Sequence, residues 1–242
     1  MKKTFRSLLA MGIVTIGFSC NNSADTVKDS SKDTTKTTDT VAAAPVAAPA
    51  AFVPFDMAEI THTVKDYAKW RPAFNSDSTA RKASGLTELV VARENDKPNN
   101  ILIVLNVSDI PKAKEFAADP RLKDVMTKNG VVSKPEIAFF HTLRFNPDSK
   151  EKTWVMVTHK VKNFDAWLKV FDSEGTAARA SQGLIDVVLA RNLADSSIVQ
   201  LVFDIKDMAK AKASIFSEEK KKLMTNAGVI GAPKIQFFTS TD

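Results

Sequence analysis

The sequence predicts an α+β protein made of two tandem βαββαβ units whose open sheet faces pack against each other. Three observations carry this prediction. Residues 57–145 align with residues 154–242, with one residue inserted between Phe171 and Arg179. Roughly a third of the aligned positions are identical, which marks a repeated structural unit. Each copy reads strand, helix, strand, strand, helix, strand. Finally, the strands are apolar on both sides. Ile101, Ile103, Leu105 and Val107 share one side, and Leu102 and Val104 share the other. Helices can cover only one face of such a sheet, so the second face must be buried by something else.

The opening element is THTVKDYAKWRPAF, Thr61 to Phe74, which returns as THKVKNFDAWLKVF, Thr158 to Phe171. AEITHTV is a β-prone run. It ends just before Asp66, whose place Asn163 takes in the second copy, and both residue types cap helix N-termini well. Tyr67, Trp70 and Phe74 then form one apolar helical stripe, as do Phe164, Trp167 and Phe171. Pro72 inside that helix predicts a kink or an irregular first turn. Gly85 and Gly183 sit where a left-handed residue closes a helix.

LTELVVAR and ILIVLNV follow as strands joined by the turn-rich ENDKPNN. The second copy has LIDVVLAR and IVQLVFDI joined by NLADSS. Asp109 and Asp207 cap a second helical region. In the first copy it breaks at Asp119-Pro120, with the proline opening the new helix. The region ends at Gly130 and Gly228. Pro135 and Pro233 open the last strands, EIAFFHTLRF and KIQFFTST. This order is that of a split-βαβ, ferredoxin-like unit.

Ahead of the repeats stands MKKTFRSLLAMGIVTIGFSC. Its apolar run, Leu8 to Phe18, falls short of the about 20 residues that span a bilayer and has the shape of a signal peptide. The end, Ile-Gly-Phe-Ser-Cys, resembles a bacterial lipobox, although Phe18 is bulkier than the usual residue there. Residues 1–19 are read as the leader and Cys20 as the lipidated first residue of the mature chain. Cys20 is the only cysteine, so no disulfide forms within the chain. The alternative is an ordinary signal peptide with an incidental cysteine. By resemblance to other lipoproteins, Asn21 directs the protein to the outer membrane, in the cell envelope. Residues 20–54 are Thr/Ser/Asp/Lys-rich, then Ala/Pro-rich, with no periodicity to build a core. They are read as a disordered tether averaging roughly 30–35 Å end to end. The first repeat is placed at 55–147 and the second at 150–242.

The formal net charge is +6. Lys2, Lys3 and Arg6 lie in the leader, leaving about +3, too little and too scattered to argue for nucleic acid. Lys220–Lys222 follow Glu218 and Glu219 on a helix and read as a solvated face.

The sequence resembles the dimeric α/β-barrel superfamily, close to the antibiotic-biosynthesis-monooxygenase-like domains. The residues that carry the likeness are HTVKDYAKWRPAF, the Arg81 to Gly85 step, DPRLKDVMTKNGV and PEIAFF, with their partners in the second copy. The resemblance implies that two ferredoxin-like units pair sheet to sheet into a barrel. That pair is usually a homodimer and here is an intrachain pseudo-dimer, hence a monomeric protein. Members include cofactor-free oxygenases, haem degraders, isomerases and proteins without known activity, so function has to come from the site. The haem-degrading branch uses a histidine on the second helix. Residues 109–128 and 207–226 contain none, and no cofactor is expected.

His62 and His159 lie mid-strand, on the side of Ile60, Val64, Val157 and Val161. Each reads as a general base or a ligand contact. The plainer reading is a buried histidine with satisfied hydrogen bonds. Trp70 and Trp167 are core residues or cavity walls. Arg81 and Arg179 either meet the helix dipole or bind an anion. Glu88 and Asp186 match in the second strand, as Asn106 and Asp204 do in the third; an acid within an apolar strand demands a reason. These eight residues, His62, His159, Trp70, Trp167, Arg81, Arg179, Glu88 and Asp186, are the candidate site. Strand neighbourhood in this fold brings His141 toward His62, but no carboxylate or cysteine cluster completes a metal site. No nucleophile triad, phosphate loop or dinucleotide fingerprint is present. The leading expectation is a lipid-anchored envelope protein binding a small, partly apolar ligand between sheet and helices. The alternatives are a cofactor-independent monooxygenase or isomerase using His62 or His159 as base, and a scaffold acting through protein partners.

Overall fold

The computed structural model describes residues 52–241. The leader, Cys20 and the tether up to residue 51 lie outside the described residues. The first repeat runs β1 (Phe55–Thr63), α1 (Tyr67–Ser76), α2 (Ser78–Ala83), β2 (Leu86–Glu94), β3 (Lys97–Val107), α3 (Ile110–Ala118), α4 (Pro120–Lys128) and β4 (Glu136–Phe145). The second runs β5 (Thr153–Val161), α5 (Phe164–Glu174), α6 (Thr176–Ser181), β6 (Leu184–Asn192), β7 (Ile198–Ile205), α7 (Met208–Ile215), α8 (Glu218–Asn226) and β8 (Val229–Ser240).

The eight strands close into one antiparallel barrel in the order β1-β3-β2-β8-β5-β7-β6-β4. Each repeat supplies four adjacent strands, and two seams join them. One seam pairs Ala92–Glu94 of β2 with Phe238–Ser240 of β8. The other pairs β4 with β6, from Phe140 opposite Asn192 to Phe145 opposite Val188. Strand parity then sorts the apolar residues. Leu102 and Val104 join Met57, Phe140, Trp154, Met156 and Phe238 in the barrel lumen. Ile101, Ile103 and Leu105 pack under the helices of the first repeat, with Trp70 and Val91. Val199, Leu201 and Phe203 do the same in the second, with Trp167. Closure buries both faces of both sheets, as the two-sided apolar pattern requires.

The caps act as the sequence implies. Asp66 accepts from the Ala68 and Lys69 amides, and Asn163 from the Ala166 amide. Asp109 and Asp207 accept from the amides of Lys112 and Lys210. Some boundaries differ from expectation. α1 runs on through Pro72 to Ser76. The first helical region is split in both copies, at Asp77 and at Gly175, whose φ is +78°. The second region is split in both copies too. Ser217, accepting from the Lys220 amide, restarts α8 where Asp119 restarts α4. β8 begins at Val229, before Pro233. Its pairing skips from Ile230 opposite Lys160 to Lys234 opposite Thr158, so Pro233 sits in a bulge facing His159, where no ladder donor is needed.

Gly85 and Gly183 tie the helices to the sheet. Their carbonyls accept from the amides of Ser108 and Lys206, which locks the β2 and β6 entries to the starts of α3 and α7. A Cβ on Gly183 (φ +82°) would lie 2.8 Å from the Asp207 carbonyl oxygen, whereas one on Gly228 (φ +89°) meets nothing nearer than Lys162 Cβ at 3.6 Å. Both substitutions carry the left-handed penalty of about 1–2 kcal/mol. Only the first adds a clash with rigid backbone. Gly228→Ala should therefore lower unfolding free energy by about that penalty and Gly183→Ala by clearly more, measured by urea denaturation.

Candidate functional site: two histidine-lined cavities between sheet and helices

The helix-facing side of β1 carries Ala58, Ile60 and His62 in alternation, and β5 carries Val157 and His159. The capped helix that follows lays its aromatic stripe over the histidine. Trp70 sits 5.4 Å from the His62 ring, and Trp167 sits 5.3 Å from the His159 ring, centroid to centroid. Phe74 and Phe171 stack on the far side of the indoles at 5.0 and 5.4 Å. Beside each His/Trp pair lies a cavity. The first measures about 100 Å³ and is walled by His62, Trp70, Phe74 and Arg81, closed by Phe116 and Met126. The second measures about 80 Å³ and is walled by His159, Trp167, Phe171 and Arg179.

The histidines are 3% and 5% exposed, and neither ring nitrogen of either one has a hydrogen-bond partner. They are buried, but not satisfied as the plainer sequence reading supposed. Burial lowers each imidazole to about 4, so both rings are neutral at pH 7 and present one donor and one acceptor.

The arginines are held by the protein. Arg81 Nη1 donates to the Phe74 carbonyl at 2.6 Å, and Arg179 Nη1 donates to the Phe171 carbonyl at 2.8 Å, each serving the last turn of the preceding helix. Their guanidinium carbons lie 3.6 and 4.0 Å from the Phe74 and Phe171 ring centroids. Glu88 and Asp186 are not among the cavity-lining side chains. Asp186 grips Arg179 through two bonds of 2.7 and 2.5 Å. Glu88 accepts from Arg71 at 2.7 Å and lies 3.8 Å from Arg81. These acids orient the arginine wall and do not reach the cavities. His141 does not approach His62; the β1–β4 register puts it opposite Asp56, and its Nδ1 lies 2.6 Å from Asp56 Oδ1. Among the described residues, no group of three or more His, Cys, Asp or Glu is arranged to hold a metal.

No protein-family model and no curated protein matches the sequence. Solved structures do match. A candidate monooxygenase from Fusobacterium nucleatum superposes with a TM-score of 0.52 at 14% identity, covering 78% of this chain and 93% of its own. A candidate monooxygenase from Lactobacillus acidophilus gives 0.51 at 10% identity, covering 77% and 94%. An anthrone oxidase-like protein gives 0.51 at 13% identity, covering 78% and 92%. Each match spans more of the chain than one repeat holds, so both halves are included. The chain has the fold of the dimeric α/β-barrel proteins. At these identities the likeness concerns the fold alone.

Two residues inside the closed barrel are not among the candidates drawn from the sequence. Glu59 and Gln200 face the lumen, 8% and 0% exposed, and Gln200 Nε2 donates to Glu59 Oε2 at 2.8 Å. Burial raises the Glu59 carboxyl to about 7. The only signal in the sequence was an acid one residue away from the helix-facing parity of β1. The expected packing of the two open sheet faces makes that an interior position, so the acid there marked a buried carboxyl.

The buried imidazoles set the acid response of the barrel. A group held neutral with its value lowered from 6.5 to about 4 contributes stability above its unfolded value, and loses it as pH falls through the folded one. Each histidine should cost on the order of 3 kcal/mol between pH 6.5 and 4. Glu59, with its value raised, acts in the opposite sense, losing stability as pH rises toward about 7. His62→Leu together with His159→Leu should flatten the loss on the acid side, with little or no loss of stability at pH 7. Urea denaturation at pH 7, 5.5 and 4 checks this.

Proposed function

We propose that this protein is a lipid-anchored cell-envelope module that binds a small, partly apolar ligand in its sheet–helix cavities. His62 and His159 supply the polar contacts, Trp70 and Trp167 the walls, and Arg81 and Arg179 the far side. One observation carries the reading: the unpartnered ring nitrogens of two buried histidines, each on a cavity wall. A buried polar atom without a partner costs about 1–3 kcal/mol. A ligand hydroxyl or carbonyl that pairs with it recovers that loss. The cavities are smaller than the about 150 Å³ that accepts benzene in an engineered core, so a single small ring enters only with some shift of the lining side chains, and nothing larger is expected.

The second reading is a cofactor-independent oxygenase or isomerase, favoured by the oxidase and monooxygenase descriptions of the similar structures. The imidazoles argue against it. A base near 4 takes a proton poorly at neutral pH, and no carboxylate orients either ring. A purely packed scaffold is disfavoured by the open space beside both histidines. The lipid anchor rests on the lipobox-like ending at Cys20. No helix among the described residues is long and apolar enough to cross a membrane. In this reading the barrel, whose repeats complete each other within one chain, is a monomer, and the anchor holds it facing the periplasm or the surface.

Phenol and hydroquinone are suitable probes. Saturable binding by tryptophan fluorescence and retention in native mass spectrometry are expected, weakened about tenfold in the His62→Leu, His159→Leu double variant. Equal affinity in that variant would sink the binding reading. Oxygen uptake with hydroquinone that disappears in the variant would transfer the case to the oxygenase. For the anchor, Cys20→Ser should abolish palmitate labelling and release the protein from membranes; labelling that persists rejects Cys20 as the lipid site.

A further inference from the structure

A third cavity, of about 330 Å³, lies on the opposite side of the sheets from the histidines, inside the barrel. It opens at the end where β1, β2, β5 and β6 begin and the linker between repeats crosses. Its apolar wall is built from repeat-equivalent pairs: Met57 and Trp154, Val90 and Val188, Val104 and Val202. Two bulges widen this end. The β2–β3 register shifts between Glu88 and Val90, and the β6–β7 register shifts between Asp186 and Val188. The bulged residues Leu89 and Val187 both line the cavity. Leu89 and Phe145, at its rim, are 49% and 40% exposed.

The polar groups do not follow the pseudo-symmetry. Glu59 stands where the second repeat has Met156, and Gln200 stands where the first has Leu102. Two of the four central positions are thus polar while their counterparts are apolar. Glu59 Oε2 accepts from Gln200, but its other oxygen makes no hydrogen bond, and Gln200 Oε1 is buried without a partner. Nearer the mouth, Asp204 is 3% exposed and accepts from the Ser149 hydroxyl at 2.6 Å. Among the described residues that line the cavity, the charged side chains are Glu59, Glu151 and Asp204, all carboxylates. The one cation acting on Glu59 is Lys234 on β8, which is not in the lining.

We infer that the barrel lumen is a second binding site, taking an apolar molecule with a primary amine, its ammonium group seated against Glu59. The apolar wall and exposed rim take the hydrocarbon body. The carboxylate lining attracts a cation and repels an anion. Glu59 lines the cavity with one oxygen held by Gln200 and the other without a hydrogen bond, an acceptor for an N–H donor of an ammonium; Gln200 itself is not in the lining. With its carboxyl raised to about 7 by burial, Glu59 is mostly protonated at pH 6. Pairing with an ammonium ion then expels that proton to solvent.

The test is calorimetric titration of the full chain with hexylamine, hexan-1-ol and hexanoate. Hexylamine should bind saturably, at least tenfold tighter than hexanol, with hexanoate weakest. At pH 6, titrations in buffers of different ionisation enthalpy should show release of close to one proton, and at pH 9 none. Glu59→Gln should lose both the amine preference and the proton release. Glu59→Met, which copies the second repeat, should do the same while filling the site, and thermal unfolding verifies that each variant is folded. Asp204→Asn should weaken hexylamine severalfold and leave the proton release intact. No saturable hexylamine binding, parity with hexanol, or an unchanged folded Glu59→Gln variant overturns the assignment. So does loss of hexylamine binding in the His62→Leu, His159→Leu variant, which would place the amine in the sheet–helix cavities. Phenol binding that fails while hexylamine binding holds leaves this inference standing without the sheet–helix one.

Discussion

A four-stranded sheet with helices on one face leaves its other face to water. In the first half that face carries Met57, Leu102, Val104 and Phe140, and in the second Trp154, Met156 and Phe238, too much apolar surface to leave solvated. Each half can bury it only against the other. Everything else is arranged around that mutual burial. The two seams fix how the sheets face each other, and the helices are then confined to the outside. The histidines end up pointing outward beneath those helices, and Glu59 and Gln200 point inward. One closure therefore creates two chemically different interiors: a pair of aromatic cavities outside the barrel wall and an acidic, amphipathic one within it.

Much of this was legible in the residues. The internal repeat, the Asp and Asn caps, the Tyr/Trp/Phe stripes and the two-sided strands each follow from a local rule, and together they admit few arrangements. His62 and His159 stood out because nothing in strand, cap or stripe required them. Their environment followed from parity, but their lack of partners did not, because hydrogen bonding in a core depends on atoms brought from distant elements. The pairing of Glu88 and Asp186 with arginine was illegible for the same reason. Glu59 is a different case: it lies on the second face of β1, which the two-sided strands require to be buried, so its burial was legible and only its partner Gln200 was not. The extra helix breaks at Asp77, Gly175 and Ser217 had weak signals, since a polar or glycine residue between short helices reads equally well as part of one longer helix.

Comparing the halves shows which parts the fold needs twice. The cap, the Trp over the His, the arginine bonded to the helix-end carbonyl and the glycine closing on the next cap all recur. The ionic surroundings do not. In the first half Arg71 takes most of Glu88; in the second Asp186 grips Arg179 directly, and Glu174 bridges to Lys220. The two cavities share a framework but differ in rim charge. A homodimer could not differentiate its halves, since any change would appear on both sides of its axis.

The short segment between Phe145 and Thr153 has a kinetic meaning as well. In a two-chain barrel the halves must find each other by diffusion, and the population of complete barrels falls on dilution. Here the second half is never farther away than a few residues of chain allow, which corresponds to a local concentration on the order of millimolar. Assembly becomes a first-order event. A molecule carried singly on a membrane, where like partners are sparse and orientation is restricted, would still hold a finished barrel, and its unfolding midpoint would be the same at nanomolar and at micromolar protein.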